Sequence, residues 1–283
     1  MKLFFQILLT LFIHISWAQN FSFDYDRIGS VNKNLSDVTT NKFELRYISV
    51  DSIDLSLKFL NDYYVFNIED YDTQFIQKLN SFEFVATKMF KLKNNWIINF
   101  AFKPQINTND IEFMTINSFH PNSEIGFIKK LKSKDSKLYL GIEYGNLLGK
   151  MSFYPIFNFE KKINRYTDLK IGFPRTRIRF RYDERNYLIF NSSFSSHFWN
   201  INQNLYSRIA NNNEILSYEY LFSKQVNASL EYNYLFENFS IIKFEIGKAF
   251  NNTLEIKENN TSNNFNFNNQ FYVKMGIKYN FNL

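Results

Sequence analysis

From about residue 42 onward, apolar and polar side chains alternate with a period of two, the mark of β-strands. Phe43, Leu45 and Tyr47 share one parity, and Ile53, Leu55, Leu57 and Phe59 follow. Trp96, Ile98, Phe100 and Phe102 alternate cleanly, as do Leu138, Leu140, Ile142 and Tyr144. The pattern runs on through Leu169/Ile171/Phe173, Ile178/Phe180/Tyr182, Leu216/Tyr218/Tyr220/Phe222, Val226/Ala228/Leu230/Tyr232/Tyr234 and Ile242/Phe244/Ile246. Phe271, Val273, Met275, Ile277, Tyr279 and Phe281 end it. Each segment is roughly 8–11 residues, the length of a tilted membrane-spanning β-strand. The pattern predicts an all-β, antiparallel up-and-down transmembrane β-barrel of about 12 strands, with roughly 10–14 the range the segment boundaries allow.

Short polar separators predict tight turns at 93–95, 132–137, 161–165, 183–185 and 223–225. Longer polar stretches at 105–121, 202–214 and the asparagine-rich 251–270 predict loops. Short turns at one end and long loops at the other are expected of an outer-membrane barrel. Residues 72–80, "DTQFIQKLN", read instead as a short helix. No fixed-period repeat or linker divides the chain.

The opposite face of the same strands is polar. Tyr139, Gly141, Glu143 and Gly145 form one such row, and Asn227, Ser229, Glu231 and Asn233 another. Lys243, Glu245 and Gly247 follow, then Tyr272, Lys274, Gly276, Lys278 and Asn280. The sharpest case is "PRTRIRFRYDE" at 174–184, where Arg175, Arg177, Arg179 and Arg181 take every second position. On a lipid face near the midplane each arginine costs about 2–4 kcal/mol, so four would cost as much as the stability of a whole domain. The row must face the lumen, with Glu143, Asp168, Glu160, Glu219, Glu231 and Glu245 as carboxylates in reach. A soluble lipocalin-like barrel would show the same period with the faces inverted. Aromatics at strand ends (Tyr144, Phe173, Tyr232, Tyr234, Tyr279, Phe281) favour lipid, because interfacial girdles lie there.

Composition fits this picture. Phe (34), Tyr (18) and Trp (3) make up 19% of 283 residues, yet the mean hydropathy is −0.33. Strict alternation along many strands produces that combination. Residues 1–18 read as a secretory signal peptide: Lys2 leads an apolar run from Leu3 to Trp17, and Ser16 and Ala18 sit at the −3 and −1 positions of a cleavage site. That leaves 19–283 as one barrel domain, exported to the outer membrane of a Gram-negative bacterium. The chain has no cysteine, which rules out disulfides, thiolate metal sites and cysteine nucleophiles. The formal net charge of +6 is reduced by one if Lys2 leaves with the leader, and it reads as lumenal bias rather than nucleic-acid binding.

Lys274-Met-Gly276-Ile-Lys-Tyr279-Asn-Phe281 resembles the C-terminal β-signal of outer-membrane proteins, although the chain runs on to Leu283. That resemblance implies recognition of the last strand by the barrel-assembly machinery. The stretch 171–190, with its Gly172-Phe173-Pro174 corner, and "YEY" at 218–220 resemble an uncharacterised Bacteroidota family of outer-membrane β-barrels, a domain of unknown function. The resemblance implies the fold and the membrane, and it carries no functional residues.

Catalytic chemistry is sparse. His120 stands beside Pro121 in a segment read as loop, where a surface residue is expected. His197 lies among serines, and of its nearest two only Ser195 shares its strand face, so a lipid hydrolase around His197 is the enzymatic alternative. No metal motif, phosphate-cradling loop or cofactor site occurs; "DYDTQ" at 70–74 lacks the glycine and terminal glutamate of a calcium loop. The expected role is a monomeric structural barrel or passive small-solute, anion-favouring channel. Surface binding or adhesion through the extracellular loops is the alternative from another class.

Overall fold

The computed structural model describes residues 20–31, 36–48, 53–66, 77–109, 116–131, 135–149, 151–201, 207–209, 215–236, 240–258, 261–267 and 269–281. The expected leader lies outside them. Described strands, in chain order, are β1 (Asn20–Val31), β2 (Ser36–Ile48), β3 (Ile53–Phe66), β4 (Lys78–Lys91), β5 (Trp96–Thr108), β6 (Phe119–Lys130), β7 (Ser136–Gly145) and β8 (Ser152–Lys162). They continue as β9 (Thr167–Phe173), β10 (Arg175–Arg181), β11 (Asn186–Asn200), β12 (Ser207–Ile209), β13 (Ile215–Phe236), β14 (Ser240–Glu258), β15 (Thr261–Phe267) and β16 (Gln270–Phe281). Fourteen close into an antiparallel barrel, at the upper end of the range read from the pattern. The ring runs from β1 through β11 to β13, β14 and β16, and closes where β16 pairs with β1. β12 and β15 lie off the ring, on β13 and β14.

The outer face is apolar over a continuous belt. Phe43, Leu57, Phe84, Phe100, Phe127, Ile142, Phe157, Ile178, Phe190, Ile246 and Met275 are all exposed there. Exposed apolar surface on that scale is foreign to a soluble monomer and fits hydrocarbon. Tyr25, Phe43, Phe59 and Phe82 stand in register on neighbouring strands and form one row of the belt, with successive ring centroids 4.8, 6.3 and 4.7 Å apart. At the edge beside the β4–β5 turn, the Lys129 ammonium lies 4.7 Å from the Trp96 ring. The inside is polar: Asp26, Asn99, Asn158, Asn191, Asn233, Lys243 and Glu245 are buried.

Four sequence expectations change. The turn expected at 223–225 does not form, because β13 runs unbroken through Ser223, Lys224 and Gln225. Its pairing with β11 keeps parity (Gln225 with Ser195, Ser223 with His197), and the slip is taken up on β14, where Asn251 adopts a left-handed φ of 49°. Asparagine tolerates that backbone better than most side chains. The loops expected at 105–121, 202–214 and 251–270 are partly strand: β5 reaches Thr108, β6 starts at Phe119, β12 pairs with β13, and β14 with β15 make a hairpin. Polar strands above a membrane look like loops because nothing there selects apolar side chains. Of the helix expected at 72–80, Gln77 is a bend and Lys78, Leu79 and Asn80 belong to β4, while 72–76 lie outside the described residues. His120 is buried on β6 instead of lying on a surface loop, its ring edge-on to Phe198 at 5.3 Å.

Candidate functional site: a basic wall in the lumen

The connections β4–β5, β6–β7, β8–β9 and β10–β11 lie at the end of the barrel that holds the first residue of β1 and the last of β16, here the turn end. Between β8 and β11 the wall is built from the short hairpin β9–β10, reversed at Phe173-Pro174. Ile178 and Phe180 of β10 are 38% and 47% exposed on the lipid face. The other parity carries the four arginines, in register with Ser193, Asn191, Ile189 and Tyr187 of β11. Thus β10 presents one lipid row and one lumenal row.

Only one rung of that ladder is neutralised. Arg179 is ion-paired with Asp168 on β9. Arg175 donates to the Asn191 side-chain oxygen at 3.1 Å. Among the described residues, no carboxylate lies within ion-pair distance of Arg175, Arg177 or Arg181. The other carboxylates expected to partner them are held by lysines instead. Glu143 pairs with Lys103 at 2.8 Å, Glu219 with Lys257 at 3.1 Å, and Glu231 and Glu245 with Lys274 at 3.9 and 2.7 Å. Glu160 sits between Lys170 at 3.1 Å and Lys137 at 3.8 Å.

Arg175 lines three cavities. One of about 410 Å³ opens toward the turn end, lined by Lys137, Lys161, Lys162, Lys170, Arg175, Arg177 and Arg179 against Asp135, Glu160 and Asp168. A second, of about 430 Å³, lies against β5 to β8 and includes Lys103, Glu124 and Tyr139. A third, of about 510 Å³, reaches from Arg175 and Asn191 across to Lys42, Asp62, Glu245 and Lys274. The positive excess is concentrated on the β8–β10 side.

The seam where the barrel closes has the opposite character. Lys243 pairs with Asp24 and with Asp26, the latter at 3.1 Å, and Lys274 lies 3.7 Å from Asp26. A Cβ on Gly276 would run into the Asp26 carboxylate and lie 2.7 Å from the Tyr25 carbonyl oxygen. Glycine there lets the last strand approach β1 closely. Tyr272 lies over Gly247 and donates to Glu245 at 3.1 Å. Tyr139 repeats the device on β7, lying over Gly126 and donating to Glu124. In the expected β-signal, then, Lys274 and Gly276 face the lumen network, Tyr279 faces out, and Phe281 is in register with Phe21.

At the loop end β11, β13 and β14 continue past the level of Pro174. Their tips lean across the mouth: Asn200 bridges Thr108 of β5, six strands round the ring, and donates to the Asn117 carbonyl oxygen. A small apolar core lies here, in which Trp199, Leu221 and Ile256 are almost fully buried. His197 stacks on Trp199 at 5.2 Å, and Ser195 accepts from the Asn227 amide at 2.9 Å. Among the described residues no cluster of histidine, aspartate and glutamate could hold a metal ion.

Sequence reasoning placed Lys243 and Lys274 on the inner face but passed over most of the other lysines that neutralise the lumen. Parity marks several of them: Lys103 follows Phe102 on the inner face of β5, and Lys42 precedes Phe43 on β2. What parity does not give is which carboxylate each one meets.

This is a transmembrane β-barrel with a charged interior. The chain belongs to the family described as Domain of unknown function (DUF6268), matched over residues 49–280. No curated protein matches it. Solved structures similar to it include porins and a transporter. A KdgM porin in complex with disordered oligogalacturonate is 9% identical, over 91% of this chain and 98% of that one, with a TM-score of 0.42. A NanC porin is 8% identical over 91% and 98%, with a TM-score of 0.45. The toluene transporter TodX of Pseudomonas putida is 7% identical over 93% and 89%, with a TM-score of 0.39.

Proposed function

We propose that the protein is a monomeric outer-membrane barrel, exported by its leader and inserted through its C-terminal strand, that passes small solutes and favours anions. The observation that carries this reading is that Arg175 and Arg177, with no ion-pair partner among the described residues, line a cavity of about 410 Å³, with Arg181 on the same strand face. Fixed charge on a pore wall raises the local concentration of counter-ions and sets selectivity. Fourteen strands stand just below the size at which porins hold an open aqueous channel. Reconstitution in a planar bilayer under a KCl gradient tests the reading. A steady current with a reversal potential of anion sign is expected. No current, or cation selectivity, would sink it.

One observation favours surface binding as a second reading. The β14–β15 hairpin borders a cavity of about 580 Å³ lined by Asn251, Asn252, Asn266 and Asn269, a polar surface at the loop end. Binding of intact cells to immobilised glycans, lost when 259–268 is replaced by a short glycine linker, would support it. Unchanged binding after that replacement would remove it.

A further inference from the structure

We infer that β10 carries a dianion site, with Arg175 and Arg177 each taking one negative group of a single solute such as a dicarboxylate. The inference rests on the channel reading and deepens it by naming the solute class at its basic wall. Arg175 and Arg177 are two residues apart on one strand face, so their backbones are separated by about 7 Å. Guanidinium groups at that spacing suit two linked carboxylates better than one, since each carboxylate can take its own forked pair of hydrogen bonds. Both arginines line the same cavity, which has room for a small organic acid.

The neighbours explain why these two rungs are open. Arg179, the next rung, is closed by Asp168. Glu160 is shared by Lys170 and Lys137, and Glu231 is drawn toward Lys274. Arg181 lies at the turn-end rim, separated from the pair by the occupied rung. Asn191 stands opposite Arg177 in the ladder and accepts from the Arg175 guanidinium, so Arg175 is braced from β11 without losing its charge. A cation braced only by a neutral amide keeps its demand for an anion.

The test is calorimetric titration of the detergent-solubilised barrel at low salt with three probes: adipate, acetate and inorganic phosphate. Adipate should bind roughly tenfold or more tightly than acetate, the gain expected of one added charge-assisted pair. Arg177→Gln should remove that advantage, and Arg181→Gln, one occupied rung away, should keep it. Equal affinity for adipate and acetate, or an adipate advantage that survives Arg177→Gln, overturns the site. So does phosphate binding as tightly as adipate, which would mark a single-anion pocket. Heat-modifiable migration confirms that each variant is folded. The outcomes separate the two readings: adipate binding without bilayer current keeps the site and ends the channel, while anion current without an adipate preference does the reverse.

Discussion

Two lumenal walls of this barrel are both rich in charge and treat it differently. At the seam, Lys243 and Lys274 are enclosed by Asp24, Asp26, Glu231 and Glu245, and each of these charges has a partner on an adjacent or next strand. On β10, one arginine in four is paired. The seam carboxylate Asp26 is almost fully enclosed, whereas Arg179 and Asp168 remain about one-third exposed. Enclosed charge must be neutralised locally, because the interior screens it poorly. Charge that borders an open cavity can be met from the lumen instead, and so stays available to a solute. One wall therefore holds the barrel shut, and the other keeps its charge open to the lumen.

The contrast should break most sharply at Lys274. Lys274→Met leaves Glu231 and Glu245 without their lysine and Asp26 with Lys243 alone, and loss of one partner from an enclosed pair costs about 3–5 kcal/mol. Urea unfolding in lipid vesicles, followed on gels by the heat-modifiable shift, should show that loss. Gly276→Ala comes next. The added methyl meets the Asp26 carboxylate and the Tyr25 carbonyl, and should cost about 1–3 kcal/mol in the same assay.

Arg177→Gln belongs to the other wall and should leave unfolding within about 0.5 kcal/mol of the parent. Its effect should appear in the bilayer instead, as a reversal potential shifted toward cations. The smallest effect is confined to the turn end. In the exposed turn 182–185, the backbone N–H of Arg185 donates to Asp183, as do the side chain and backbone N–H of Asn186, and these hold its carboxyl below the ordinary 3.8. A lowered value stabilises the turn above 3.8, and that contribution is lost as pH falls through the folded value. Amide resonances of Arg185 and Asn186 should shift below about pH 4, with no change at the seam. Movement of seam resonances over the same interval would contradict the independence of the two regions.

Much of this was legible from alternation. A period of two assigns each side chain to a face, and the cost of arginine in hydrocarbon decides which face is wet, so the row from Arg175 to Arg181 could be placed inside from sequence alone. The same logic identified Gly276 and Lys274 as inward positions of the last strand. It failed above the membrane. There the outer face no longer needs to be apolar, so β13 through Ser223–Gln225 and the asparagine-rich β14–β15 hairpin looked like turns and loops. His120 was misplaced for the same reason: its burial depends on Phe198, 78 residues away in sequence order but packed edge-on to it across the mouth.

By itself, then, the sequence determined strands, faces and the presence of a charged interior, because these follow from local alternation and the cost of charge in lipid. Partnership was decided only by the closed barrel. Which cation meets which carboxylate depends on the stagger of fourteen strands around the ring. That stagger brings Lys274 to Glu245 and Asp26, brings Asp168 to Arg179, and leaves Arg175 and Arg177 open to the lumen.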